Sequence, residues 1–579
     1  MKKNIRFNFI FILVIITVNL SIFLPSMKGD FLWDDKYFIT ENPYISAPHF
    51  LKKFLFTPFG GFSGTDENSI RLDRSRQFYR PLTSLSYWLD RKTWEFNPAG
   101  FHLTNILIQI LNTIIIYFIL QNLGLSLLTS FFSTLLFSVF PFHFENVSWI
   151  SGRTDLLSFL FASLSILLFL KFLKRNHYLS LAFSSFFYLC SLLSKENTIF
   201  LFFIFFFILY ASKPRFKDSA IPMIPFVFSI LLWFILRNIA MGSPGYEPSG
   251  RTLFDFFSTI GFYSLRIFFP FLLSITVDSY KVFNNIFLQI FGGMITILFI
   301  ISAFLLLTKK VKNTSLVLAF VSFYLLLLPS VVIIFVSSTA IYIAWRFLYL
   351  PSALFLTCLA FILLKKMKFR PVSIVLLSLL FLFYAVEMYP KNKIFGKNET
   401  DFWLSFKDTS RENLLARFNV GVTYLPRDEK KAMEIFNSIL SQKEHHLYSR
   451  YEVKIYENLI QYFTFKKNFN MAEKYFNKLI KLRRDQSQHF YFIYAFFLAF
   501  KGEISEGEKI VVEMLNFFPK NHLVLLYSAK FYIIIKNYEK ASELLTRDYD
   551  LFPTRETFKL LQKLKEEKNQ GVLSQEHQK

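Results

Sequence analysis

The chain has 579 residues, 53% of them hydrophobic and 20% aromatic, with a mean hydropathy of +0.38. Charged residues are only 18%, against roughly 25% in soluble domains, which excludes an ordinary soluble protein and points to a membrane protein. The net charge of +24 suggests nucleic acid, but much of the excess falls in short loops between apolar segments, where basic residues set topology. No nucleic-acid partner is expected. Phe stripes here read as core packing or lipid contact, since 78 phenylalanines stand beside only 18 glycines. Cys190 and Cys358 lie in separate apolar segments and give neither a disulfide framework nor metal-ligand spacing.

At the start of the chain, Lys2, Lys3 and Arg6 precede an apolar run over 7–24. No small-residue cleavage site follows it, so it reads as a retained anchor with a cytoplasmic N-terminus. Just beyond stands Phe31-Leu32-Trp33-Asp34-Asp35. Acidic residues at a membrane border are costly unless solvated, paired or working, and a carboxylate pair there has the chemistry of a general base or a metal ligand. The bland alternative is a solvated acidic loop. In either case Asp34→Asn and Asp35→Asn are expected to leave folding intact, as loop carboxylates do.

Further stretches of membrane length fall at 102–121, 125–142, 155–173, 177–193, 197–212, 219–238, 286–308, 314–336, 347–364 and 371–388. The segment 254–276 holds Arg266 and Pro270 near its middle and reads as an interfacial or re-entrant helix. If it does not cross, the basic clusters at 171–175, 213–217, 309–312 and 365–370 all face the cytoplasm, as the positive-inside rule requires. That gives eleven spans. The loops with polar chemistry, 28–100, 142–153, 194–197, 239–285 and 337–346, then fall on the exterior face, together with the soluble C-terminal region.

The C-terminal region changes pattern to paired helices. Ala432, Ala472, Gly507 and Ala541 occupy equivalent places in successive units, the last three at intervals of 35 and 34 residues, and Pro519 and Pro553 are also 34 apart. A 34-residue period with a small residue in the second helix resembles tetratricopeptide repeats, which stack into a solenoid whose concave face binds peptide. The expected architecture is all-α: a polytopic helix bundle at 1–389 with its exterior loop 28–100, a linker at 390–410, about four repeats at 411–562 and a polar tail at 563–579.

The exterior loops carry a series of motifs: Trp33-Asp34-Asp35, Tyr79-Arg80-Pro81-Leu82, Gly100-Phe101-His102-Leu103-Thr104-Asn105, the run from Pro141 through His143, Glu145, Trp149, Ile150, Gly152 and Arg153 to Asp155, Ser194-Lys195-Glu196, and Arg346-Phe347-Leu348-Tyr349-Leu350-Pro351-Ser352. In this order, with repeats after the last span, they resemble the transmembrane and tetratricopeptide-repeat-containing O-mannosyltransferases and their bacterial relatives in the GT-C superfamily, over nearly the whole chain. Gln109 stands where relatives often carry His, and Phe144 where they carry a small residue. Neither is a presumed catalytic position.

The resemblance implies transfer of a sugar from a polyprenyl-phosphate carrier to an acceptor hydroxyl on the exterior face. A carboxylate suits deprotonation of that hydroxyl, which makes Asp34 or Asp35, with Asp35 preferred, the candidate base, and Glu145 the next. Guanidinium groups match a leaving phosphate in bidentate fashion, so Arg346, Arg80 and Arg153 are its candidate partners. Asp155, Lys195, Glu196 and His102 are candidate supporting residues, although Glu145 could simply pair with Arg153, Lys195-Glu196 could be a charged turn, and His102 and His143 have the isolation of structural histidines. A divalent metal is left open as the only cofactor. The expected partners are the lipid-linked donor, membrane lipids and a protein or glycan acceptor held by the repeats, in a bacterial inner membrane with the repeats outside. Two alternatives remain: transfer to a lipid or surface polysaccharide, and a non-catalytic scaffold presenting the repeats. The Asn146 and Asn398 sequons matter only in a eukaryotic secretory pathway.

Overall fold

The computed structural model describes residues 2–42, 45, 50–59, 78–212, 216–241, 251–271, 277, 279–308, 310, 314–336, 343–366, 370–406, 414–442, 448–482 and 488–569. Outside them lie 60–77 of the long loop 28–100, parts of the loops 239–285 and 337–346, most of the basic clusters at 213–217 and 309–312, 367–369 of the last cluster, and the tail from 570. Among the described residues the secondary structure is helical throughout, apart from turns and isolated bridges, with no strand element. The chain divides into two compact units, one of 1–32 with 78–399 and the other of 33–77 with 400–579.

Among the described residues of the first unit, eight helices are long and apolar enough to cross a membrane: Arg6–Lys28, Pro98–Asn122, Ile150–Arg175, Lys217–Met241, Ile286–Leu307, Thr314–Phe335, Trp345–Lys365 and Pro371–Phe395. The protein is therefore an integral membrane protein. The remaining three expected spans are helical but differ in form. Leu127–Ser138 bends by 42° into Pro141–Val147, and Tyr178–Ser194 and Glu196–Ser212 are shorter apolar helices. Eleven spans thus require these three to cross as well. Leu253–Phe268 has 16 residues, about 24 Å at 1.5 Å per residue against a hydrocarbon core of ~30 Å. It starts on a reciprocal cap between Thr252 and Asp255 and ends before Pro270.

Local chemistry accounts for other boundaries. Asn97 caps the helix Pro98–Asn122 with Pro at its first position. Lys174 and Arg175 lie in the last turn of Arg153–Arg175, which stops on Asn176 in the left-handed region at φ 49°. Packing is aromatic. Phe169 and Phe205 stack at 4.3 Å, and Phe226 lies 4.9 Å from Phe205 and 5.6 Å from Tyr188. A phenylalanine-rich sequence builds its membrane core this way.

In the second unit the helices come in consecutive pairs, Leu414–Tyr424 with Glu429–Leu440, Tyr448–Phe465 with Phe469–Leu482, Gln488–Lys501 with Ile504–Phe517, and His522–Ile534 with Tyr538–Leu551, followed by Arg555–Asn569. The second, third and fourth pairs each pack on the first helix of the pair before. Ala432, Ala472, Gly507 and Ala541 are all buried. A Cβ on Gly507 would lie 2.9 Å from the Ala495 carbonyl oxygen and 3.0 Å from the Phe531 ring, which is why the phased small residue is needed. The described residues among 33–59 cluster with these helices, so the long segment 28–100 is divided between the two units.

Candidate active site

The loop after the bent pair is folded tightly by residues from several elements. Gly152 lies against the backbone carbonyls of Glu145 and Asn146, where any Cβ would collide. Asn105 donates from Nδ2 to the carbonyls of Val147, Trp149 and Ile150 at 3.3, 3.1 and 3.2 Å. Tyr87 donates to the Ile150 carbonyl at 3.2 Å, and Ser148 to Asn392 Oδ1 at 2.7 Å. Side chains thus satisfy the backbone acceptors of Val147, Trp149 and Ile150 and tie the loop to its neighbours.

Arg153 lies behind this loop, fully buried. It donates from Nε to Asn105 Oδ1 and from Nη2 to the Phe101 carbonyl, both at 2.7 Å, and its Nη1 lies 2.5 Å from Asp90 Oδ2. Asp90 also accepts from Thr104 at 2.8 Å. A guanidinium with these partners and no exposure holds the loop in shape, a structural place that differs from the expected phosphate contact.

Glu145 pairs with Arg346 and not with Arg153. Its Oε2 accepts the backbone N–H of Arg346 at 2.9 Å and lies 3.7 Å from Nη1 of the same residue. Asn146 Nδ2 donates to the Arg346 carbonyl at 3.1 Å. The one-turn helix Trp345–Leu348 that carries Arg346 is thus gripped at both ends of one residue by the Glu145 turn. The guanidinium itself lies over the rings of Trp149 and Phe347 at 5.2 and 5.4 Å.

Two further ion pairs stand beside it. Lys195 Nζ is 2.6 Å from Asp155 Oδ1, which also accepts from Asn197 at 3.3 Å. The same ammonium lies 5.1 Å from the Phe347 ring, so one ring neighbours both cations. Arg80 makes a two-pronged contact to Glu196 at 2.7 and 3.2 Å, and Thr83, a turn later, donates to the Ser194 carbonyl at 3.0 Å. Arg80 and Arg346 both act electrostatically on Lys195, and Asp155 and Lys195 act on Glu145. Burial brings the Lys195 ammonium down to about 8, against the upward pull of Asp155.

The structure therefore brings six predicted residues, Arg80, Glu145, Asp155, Lys195, Glu196 and Arg346, into three adjacent ion pairs. His102 is buried within its helix, and His143 Nε2 lies 2.9 Å from Ser352 Oγ. The Asn146 sequon is buried and so is closed to modification in this fold. Asp90, Asn105 and Gly152 were missed as determinants of the loop. The neighbourhood of Arg153 pointed elsewhere, since Asp155 stands two residues on, while Asp90 lies ten residues after Arg80 in a separate stretch of the chain.

Asp34 and Asp35 belong to the second unit. Asp35 is 1% exposed, which corrects the expectation of two solvated loop carboxylates. The pair stands between Trp33, at φ 53°, and a one-turn π-helix, Lys36–Thr40. A left-handed bulky residue and a π-turn are both costly and concentrate at functional positions. Trp33 packs edge-on against Trp403 at 6.0 Å. Among the described residues, no group of three or more His, Cys, Asp or Glu is placed to hold a metal ion.

No family model matches the chain. Curated relatives match part of it: protein O-mannosyl-transferase TMTC1 of Homo sapiens is 33% identical over 147 residues, 24% of this chain and 16% of the relative. TMTC4 of Homo sapiens is 32% identical over 181 residues (28% and 23%), and F38B6.6 of Caenorhabditis elegans 29% over 163 (28% and 23%). The chain spans less than a quarter of the length of these relatives. Over that stretch, the curated homologues of this membrane protein are protein O-mannosyltransferases of the TMTC family.

Proposed function

We propose that the protein is an integral-membrane glycosyltransferase of GT-C type that moves mannose from a polyprenyl-phosphate carrier to a protein serine or threonine hydroxyl on the exterior face. The observation that carries this reading is the cluster of three ion pairs, in which Arg346 has the loosest carboxylate contact, 3.7 Å against 2.6 and 2.7 Å for the others. Glu145 is held by the backbone of Arg346, so the guanidinium can turn to a phosphate without leaving a carboxylate unpartnered. The positive-inside rule, applied to the basic clusters, supports the exterior face, and the cell context proposed is a bacterial inner membrane. The repeats are proposed to hold the acceptor.

In this reaction the acceptor hydroxyl attacks the anomeric carbon from the side opposite the phosphate. A bond forms between the hydroxyl oxygen and that carbon, and the bond from carbon to phosphate oxygen breaks. The hydroxyl proton passes to a carboxylate, and the bonding pair leaves with polyprenyl phosphate, whose charge the cations stabilise. Asp34 and Asp35 are the carboxylates favoured by sequence, and Glu145 is the membrane unit's own candidate. Asp34→Asn, Asp35→Asn and Glu145→Gln, each assayed with polyprenyl-phosphate mannose, test this. At least one should lose about 10²-fold in transfer, with Asp35→Asn first checked for thermal stability because it is buried. Normal transfer in all three variants would remove carboxylate base catalysis from the account.

Lys195 adds a pH dependence. Its ammonium loses the proton as pH rises through about 8, so donor affinity should fall across that range, and Lys195→Arg should flatten the profile. Stability has the opposite sign. Between about 8 and the ordinary lysine value of 10.5 the unfolded chain binds more protons than the folded one, so this group makes stability rise with pH. Weaker donor use above pH 8 is therefore separable from unfolding by a melting curve. A flat wild-type profile would place Lys195 outside the donor site.

A further inference from the structure

The helix Leu253–Phe268 reaches the cluster through one side chain. It is seated on Ile286–Leu307 at a glycine crossing. A Cβ on Gly261 would run into the Leu288 carbonyl oxygen, and one on Gly292 into that of Phe257. Its two ends are apolar and outward, with Leu253 and Phe254 at one and Phe268 at the other each 62% exposed, while 258–264 are buried on every side. A helix of 16 residues with phenylalanines exposed at both ends has the length and the apolar ends of one lying at the membrane border.

Within that buried middle stands Tyr263, itself fully buried. Its hydroxyl donates to the Ala344 carbonyl at 3.2 Å and accepts the Ala344 N–H at 3.1 Å, so both polar groups of one residue are tied to one side chain. Ala344 is the residue before the Trp345–Leu348 turn. The neighbouring Phe262 stacks on Trp345 at 5.5 Å, and Phe142 stacks on the same indole at 5.0 Å. The Glu145 turn grips Arg346 itself, and Tyr263 grips the chain two residues earlier. Together they fix the position from which the guanidinium projects.

We propose that Tyr263 is a positioning residue for Arg346, and that recognition of the donor phosphate depends on how the border helix Leu253–Phe268 is seated. This rests on the donor reading of Arg346. Removing the hydroxyl leaves the Ala344 N–H and carbonyl without the partner that ties them to the helix. Misplacement of a binding group by about 1 Å can cost up to 10²-fold.

The test uses the full chain in liposomes, with polyprenyl-phosphate mannose titrated at saturating acceptor, for wild type, Tyr263→Phe, Gly261→Ala and Arg346→Ala. Tyr263→Phe keeps the ring packing and should raise the donor KM about tenfold while leaving the acceptor KM unchanged. Gly261→Ala lifts the helix from its seat without touching the hydroxyl and should raise donor KM in the same direction. It also carries the test should Tyr263→Phe fail to fold. Unchanged donor KM in either folded variant, with Arg346→Ala defective, overturns the positioning role and leaves the donor reading standing. Equal increases in donor and acceptor KM would mark a general loss of structure and also overturn it. Unchanged donor use in Arg346→Ala removes the donor reading itself, and the positioning role with it.

Discussion

Arg346→Ala should reduce transfer from polyprenyl-phosphate mannose by roughly 10²–10³-fold, the scale for losing a charged group that stabilises developing negative charge. The loss should appear chiefly as weakened donor use, with acceptor binding retained. The backbone of residue 346 stays gripped by Glu145 and Asn146, so the variant should fold. Arg346→Lys should recover only part of the activity, since an ammonium cannot make a two-pronged phosphate contact. Full recovery by lysine, or an unchanged donor titration for alanine, would assign Arg346 a purely interfacial role. Titration of the donor at saturating acceptor for the three proteins decides this.

Arg153→Met should instead destabilise the membrane unit by about 3–5 kcal/mol, the usual result of breaking a buried ion pair from one side. It strands Asp90, whose carboxyl is already pulled up by burial against the lowering effect of Arg153, and it removes the partners of Asn105 Oδ1 and the Phe101 carbonyl. Arg153→Met combined with Asp90→Leu should recover much of the loss, because two apolar residues leave no buried charge. A melting measurement in detergent checks both. If Arg153→Met melts like wild type yet fails to use the donor, the guanidinium contacts phosphate after all.

Much of the architecture was legible because it is periodic. The intervals between Ala472, Gly507 and Ala541 mark three of the helix pairs, and each of these residues is buried where two helices meet. Arg266 and Pro270 mark the short helix Leu253–Phe268 as unlike its neighbours, since a charge in mid-bilayer is costly and the proline stands just past the helix end. The membership of the ion-pair cluster was legible as well, because all six residues stand in the loop motifs that carry the resemblance to the O-mannosyltransferases.

The pairings were not. Glu145 chooses a partner 201 positions away over Arg153, eight residues on, because Asn105 and Asp90 have already taken the nearer guanidinium. Such a choice depends on which helices pack together, which no local pattern records. The burial of Asp35 was hidden for the same reason. A Trp-Asp-Asp run reads as loop until the chain that covers it is known. Tyr263 gave no signal at all, since it is one of 28 tyrosines and acts through a backbone.

The most direct test of the proposed activity is transfer by the purified full chain in liposomes, given polyprenyl-phosphate mannose and a serine- and threonine-rich secreted protein, read by intact mass and fragment spectra. The account predicts addition of single hexoses to serine or threonine oxygens, lost with Arg346→Ala. Donor that stays intact, or sugar that appears on lipid or glycan while the protein gains none, would contradict it.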